Sequence, residues 1–149
     1  MAKQEEQAGK EREGKNRTSR IGTENERSLH AAVKKWYAQP GDELEVYVDG
    51  YIVDLVRAHA RGGQELIEIQ TKNLSAIAQK LGALAKNHRV RLVYPLPVEK
   101  WIIRTTATGE FIRRRKSPKK GKPIHLFTEL IRAPDLLGRK NLVLEILLT

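Results

Sequence analysis

The chain has 149 residues, 40% of them hydrophobic, with 28 Lys and Arg against 18 Asp and Glu, a net charge of +10 and a pI near 10.0. Its length suits one domain with an adequate core. The lack of cysteine excludes disulfides and thiolate metal sites, and no apolar run approaches the roughly 18 residues of a bilayer helix.

The first residues, MAKQEEQAGKEREGK, lack the apolar middle of a secretory signal, so a cytoplasmic protein without a membrane partner is expected. A pI above about 9 is an electrostatic footprint of nucleic-acid binding, shared with ribosomal and membrane-surface proteins. Residues 1–20 are mixed-charge and nearly devoid of apolar side chains. They bury too little to offset the entropy of ordering, and a disordered tail is expected before a domain over 21–149.

Thr23-Glu24-Asn25-Glu26 has the form of a capping box. It opens a helix whose stripe is Leu29, Val33 and Trp36 and which Gln39-Pro40-Gly41-Asp42 ends. Asp49-Gly50 lies between the β-rich runs Leu44–Val48 and Tyr51–Val56, a strong hairpin signal because both turn residues must tolerate positive φ. After the turn at Arg61-Gly62-Gly63, alternation predicts a strand over Glu65–Lys72, with Ile67 and Ile69 on one face and Glu68, Gln70 and Lys72 on the other. Leu74, Ile77, Ala78, Leu81, Leu84 and Ala85 form the stripe of a second helix. Val90–Tyr94 is a fourth strand, stopped by Pro95 and Pro97, and a helix between two such strands predicts a right-handed parallel β-α-β unit. Trp101–Arg104 and Phe111–Arg113 form a hairpin around Thr108-Gly109, Ile124–Leu137 is a helix bent or broken near Pro134, and Leu142–Leu148 is a last strand.

The order of helix, acid-bearing hairpin, strand with Gln-x-Lys, helix and strand over about 23–94 resembles the PD-(D/E)xK nuclease superfamily. Ile52-Val53-Asp54-Leu55-Val56 corresponds to its hairpin acid and Ile69-Gln70-Thr71-Lys72 to its (D/E)xK segment. Gln in the first place of that segment is typical of Mrr-type restriction enzymes, which the stretch resembles most. The resemblance implies a restriction-endonuclease-like α/β fold: a central mixed β-sheet flanked by helices, in a single domain. It implies a nuclease acting on DNA, less so RNA, and a homodimer by analogy. It also implies an additional metal-binding Glu on the first helix, where Glu26 stands; the same residue can instead make the reciprocal capping contact with Thr23.

Physical chemistry states the needs of such a site independently. Phosphodiester hydrolysis at neutral pH is served by a divalent cation, which lowers the pKa of water and neutralises charge. Mg²⁺ (or Mn²⁺) needs only one or two carboxylates and a carbonyl oxygen. Asp54 supplies a carboxylate, Gln70 an amide oxygen without charge, and Lys72, about 6–7 Å further along the strand face, an amine for the attacking water or the developing charge. Glu68 shares that face and either binds metal or pairs with a basic neighbour; Glu45 is a weaker candidate. The alternative for Asp54 and Lys72 is a structural ion pair.

Arg113, Arg114, Arg115, Lys116, Lys119, Lys120 and Lys122 place seven cations in ten positions within a basic hairpin and loop over about 100–123. Such a run suits phosphate contacts unless it is a solvated charge run. Arg89 and Arg91 extend the patch, and without aromatic interleaving backbone contact is expected over base stacking. His30, His59, His88 and His125 have no ligand spacing. Because Gln70 removes a charge, a non-catalytic nucleic-acid-binding module is the rival reading. A basic loop gripping an acidic protein or membrane surface is a third.

Overall fold

The computed structural model describes residues 27–118 and 120–149. The expectations for residues 1–20, for the capping box at 23–26 with its Glu26, and for Lys119 lie outside the described residues.

Residues 27–37 are helical (α1), as their stripe predicts, although Trp36 is 72% exposed. They belong to a unit ending at Tyr37, and residues 38–149 form a second. Within the second unit the strands are β1 (Glu43–Val48), β2 (Tyr51–Ala58), β3 (Gln64–Ile69), β4 (Arg89–Leu96), β5 (Trp101–Thr105), β6 (Phe111–Lys116) and β7 (Leu142–Leu148). The helices are α2 (Leu74–Leu84) and α3 (Pro123–Ile131), followed by a 3-10 turn at Pro134–Leu136.

Five strands make a mixed sheet in the order β1-β2-β3-β4-β7. The β1–β2 and β2–β3 pairs are antiparallel, and β3–β4 and β4–β7 are parallel. The first hairpin turns at Asp49 (φ 47°) and Gly50 (φ 89°), the left-handed pair the Asp-Gly signal demands. Its open end is clamped by Arg57, whose Nε and Nη2 reach the two Asp42 oxygens at 2.9 and 2.7 Å. Asp42 also accepts the Gln39 amide at 2.9 Å, so the breaker segment Gln39–Asp42 closes on itself.

One sheet face carries Val56, Leu66, Val90, Leu92, Tyr94 and Leu96, packed with Leu74, Leu81 and Leu84 of α2, Leu126 and Leu130 of α3, and Leu136. Each fully buried Leu or Val here stabilises the fold by about 1.5–3 kcal/mol. The opposite face carries Leu55, Ile67, Ile69 and Val93, all fully buried. Two-sided burial explains the unbroken apolar run Leu92-Val93-Tyr94-Pro95-Leu96 of β4.

Three boundaries differ from the sequence expectation. β3 stops at Ile69, so Gln70 and Lys72 leave the strand; Asn73 takes a left-handed conformation (φ 56°) that turns the chain into α2. β4 runs through Pro95 instead of stopping before it. Even-numbered positions of β4 face β7 (Val90 N–H to Asn141 O, Thr149 N–H to Leu96 O) and odd ones face β3 (Gln70 N–H to Val93 O). Pro95 therefore lacks its N–H on the side where β3 has already ended. The helix expected over 124–137 is broken: Ala133, preceding Pro134, lies at φ −138° and ψ 57°, outside the helical region that a following proline disfavours.

Candidate functional site

Asp54 sits between Val53 and Leu55, both fully buried, at the point where β2 and β3 part. The β2–β3 ladder is regular from Ala58↔Gln64 to Leu55↔Ile67, and one step further in the same register sets Asp54 opposite Glu68. There the Asp54 carboxylate, not β2 backbone, takes the Ile69 amide, with Oδ2 accepting at 3.0 Å. This supplies a local reason for an Asp in an apolar strand: it satisfies an amide that the diverging ladder leaves unpaired.

Glu68 faces α2 and is 7% exposed. Lys80 of α2 donates to its Oε1 at 2.6 Å and to the Ile52 carbonyl at 2.5 Å. The other carboxylate oxygen, Oε2, is buried and makes no hydrogen bond with any described residue. Burial pushes the Glu68 carboxyl above its ordinary range, and the neighbouring Asp54 charge pushes it further; Lys80 and the Asp54 backbone amide pull the other way. Asp54 and Glu68 thus bring two carboxylates to one part-buried seam, and one Glu68 oxygen has no hydrogen-bond partner among the described residues. Oxygen donors of this kind fit a hard divalent cation.

Gln70 remains hydrogen-bonded to β4 through its backbone, and its side-chain Nε2 donates to the Lys72 carbonyl at 2.6 Å. A carboxamide donating in this way keeps its oxygen as an acceptor. Lys72 is exposed in the turn between β3 and α2. The expectation that it follows Gln70 along a strand face is corrected, because the strand has ended before both residues. Among the described residues no group of three Asp, Glu or His side chains gathers. Glu45 is exposed on β1 with φ 53° and belongs to no such group. Glu26 is outside the described residues.

Sequence reasoning missed Lys80. Its signal is positional: it lies three residues after Ile77 and four before Leu84, at the margin of the α2 stripe, where a lysine reaching inward needs an acid. The helix that carries it starts on a borrowed cap, for Glu129 of α3 accepts the Leu74 amide at 3.0 Å.

The basic segment divides in two. β5 and β6 pair as a separate antiparallel hairpin, exposed along its whole length, with a register shift at Arg104/Thr105. Arg114 lies 4.3 Å from the Trp101 ring centroid, and Lys116 pairs with Glu99. Arg104, Arg113 and Arg115 are exposed, as are Lys120 and Lys122 beyond the hairpin. Arg91 is not part of this patch: it bridges Glu65 at 3.1 Å and Glu145 at 2.7 Å across β3, β4 and β7. Among the described residues no helix is long and apolar enough to cross a membrane.

Comparison with known proteins places this geometry in a family. Residues 27–149 match the family model described as Domain of unknown function (DUF8091). An uncharacterized protein of Treponema pallidum (strain Nichols) is 35% identical over 126 residues, covering 85% of this chain and 49% of that protein. The chain thus spans about half the length of the curated relative it matches. No solved structure matches it.

Proposed function

We propose that this chain, which belongs to the DUF8091 family, is a metal-dependent nuclease with a restriction-endonuclease-like core, hydrolysing phosphodiester bonds in DNA. The observation that carries this reading is the Asp54–Glu68–Lys80 group, in which two strand-borne carboxylates come together and one buried oxygen has no donor among the described residues. The antiparallel run β1-β2-β3, followed by α2 and the parallel strand β4, supports it as the element order the sequence resemblance implies.

Asp54 and Glu68 would hold Mg²⁺ or Mn²⁺, with the Gln70 carbonyl oxygen as a neutral third ligand. A bound ion of this kind supplies an acidified water and neutralises charge on the phosphoryl group. Lys80 orients Glu68 and offers a fixed ammonium to charge developing at the phosphate. Lys72, exposed in the turn, serves as a phosphate contact at the mouth of the site. Arg113, Arg114, Arg115, Lys116, Lys119, Lys120 and Lys122 supply the electrostatic grip on the nucleic acid.

The test is incubation of plasmid and single-stranded DNA with Mg²⁺ or Mn²⁺. Cleavage by the wild type is expected, with a loss of about 10²–10³-fold or more in Asp54→Asn, Glu68→Gln and Lys80→Ala and a smaller loss in Lys72→Ala. Cleavage that survives both carboxylate substitutions removes the site. Salt-sensitive DNA binding without cleavage by the wild type turns the reading to a non-catalytic binding module, with uncharged Gln70 as the reason.

A further inference from the structure

The β5–β6 hairpin has two faces of different character. Its register pairs Trp101↔Lys116, Ile102↔Arg115, Ile103↔Arg114 and Arg104↔Arg113. Alternation therefore puts Trp101, Ile103, Arg114 and Lys116 on one face and Ile102, Arg104, Arg113 and Arg115 on the other. On the first face the cations are engaged, Arg114 on Trp101 and Lys116 on Glu99. On the second, the three guanidinium groups make no hydrogen bond or ion pair with any described residue, and all three are exposed.

That arrangement is costly in isolation. Arg104 and Arg113 are direct cross-strand partners, and like charges placed so destabilise a pairing. A lone two-stranded hairpin is marginal even without them. Residues 100–122 contain nine Lys and Arg and one acid, and even with Glu99 beside them most of this charge is unopposed nearby in sequence. The hairpin is nevertheless anchored: Ser117 N–H donates to Lys100 O at 2.8 Å, and Gly121 N–H to Pro97 O at 2.7 Å. A Cβ at Gly121 would stand 2.6 Å from that carbonyl, so only glycine allows the return strand to close so tightly on the end of β4.

We infer that the Ile102–Arg104–Arg113–Arg115 face is a double-helix reader: a two-stranded ribbon that lies in the major groove of duplex DNA. The groove, about 12 Å wide, admits a two-stranded ribbon. Six residues of strand extend about 20 Å, roughly six base pairs at 3.4 Å each. Three guanidinium groups spread over both strands reach phosphates or guanine edges on either wall, and Ile102 offers apolar contact to a thymine methyl. One face of Trp101, a ring that could otherwise serve as a stacking platform for single-stranded bases, is occupied by Arg114. The hairpin follows the carboxyl end of β4, and Glu68 and Gln70 lie at the carboxyl end of its parallel neighbour β3, the side of an open α/β sheet where ligands bind. The inference deepens the nucleic-acid part of the proposed function and does not depend on catalysis.

Binding is measured by fluorescence anisotropy in EDTA, at 50–200 mM KCl, with a labelled DNA duplex of about 20 base pairs, one of its strands, and the RNA duplex of the same sequence. Arg104→Ser/Arg113→Ser/Arg115→Ser is compared with Arg61→Ser/Lys86→Ser/Lys140→Ser, which removes the same charge elsewhere. The wild type is expected to prefer the DNA duplex over both other probes by about tenfold or more, since the A-form major groove excludes side chains. The hairpin triple variant should lose about 10²-fold or more of duplex affinity and lower the salt slope by about 0.9 per arginine. The control should lose much less. A second set, Arg104→Lys/Arg113→Lys/Arg115→Lys, should keep the salt slope while losing part of the affinity. Preference for single-stranded DNA or duplex RNA overturns the inference, as does a hairpin variant that binds like the control. Duplex binding through the hairpin without metal-dependent cleavage by the wild type removes the nuclease reading alone.

Discussion

In the seam between β2, β3 and α2, three charged side chains are drawn together and partly buried: Asp54 caps a strand amide, Glu68 is buried, and Lys80 donates to Glu68 and a carbonyl. In the β5–β6 hairpin, three guanidinium groups stand on one exposed face with no acid against them among the described residues. The seam is built of charges whose removal the fold feels, because an unpaired group there has little solvent to fall back on. The hairpin carries charges whose removal the fold tolerates, because water already solvates them. The proposed cation site rests on the first cluster and the proposed polyanion surface on the second.

The sharpest way to break this comparison is Lys80→Met, which strands the Glu68 carboxylate. A loss of about 2–4 kcal/mol is expected, below the limit for a fully dry pair because Lys80 keeps some contact with water, and urea unfolding at pH 7 measures it. An undiminished midpoint would mean the seam is wet and the contrast false. Gly121→Ala follows, at about 1–3 kcal/mol, from overpacking against the Pro97 carbonyl. Its thermal midpoint should fall, and DNA affinity with it, since the hairpin root is what shifts.

The next test uses pH. The folded Glu68 pKa is raised above its ordinary 4.5, so the protonated form is favoured by the fold. Its stabilising contribution is fully present below about 4.5 and is lost as pH rises through the raised folded value. Glu68→Gln mimics the protonated form, and its stability relative to wild type should therefore grow between pH 4.5 and 8 in paired urea titrations. A constant difference would show that burial and Asp54 do not govern this carboxyl. Smallest of all is the stability change of the Arg104/Arg113/Arg115 triple serine variant. A shift within about 0.5 kcal/mol, or a slight gain from relieved repulsion, is expected, and a large loss would show these arginines to be structural.

Much of the architecture was legible in local pattern. The Asp-Gly turn, the alternation in β3 and the apolar stripe of α2 each specify an element through sterics and periodicity alone, and their order gave the mixed sheet. Asp54 was legible because an acid inside an apolar strand requires a reason. Lys72 was misplaced because alternation was carried past Ile69, whereas Asn73 turns the chain before the pattern can apply. Lys80 was passed over because a lysine at the edge of a helical stripe looks like any solvated lysine until the helix is docked.

The sequence by itself determined the elements, the buried faces, the position of Asp54 and Glu68 on neighbouring strands, and the concentration of cations near residues 100–122. These follow from backbone sterics, side-chain period and composition, which act over a few residues. Only the tertiary structure decided that Glu68 meets Lys80, that its second oxygen has no donor among the described residues, that Arg91 is consumed by Glu65 and Glu145, and that Arg104, Arg113 and Arg115 share one face. Each of these depends on the register between strands or the docking of a helix, and a charge acquires its energetic meaning from the partners and the water that this arrangement leaves around it.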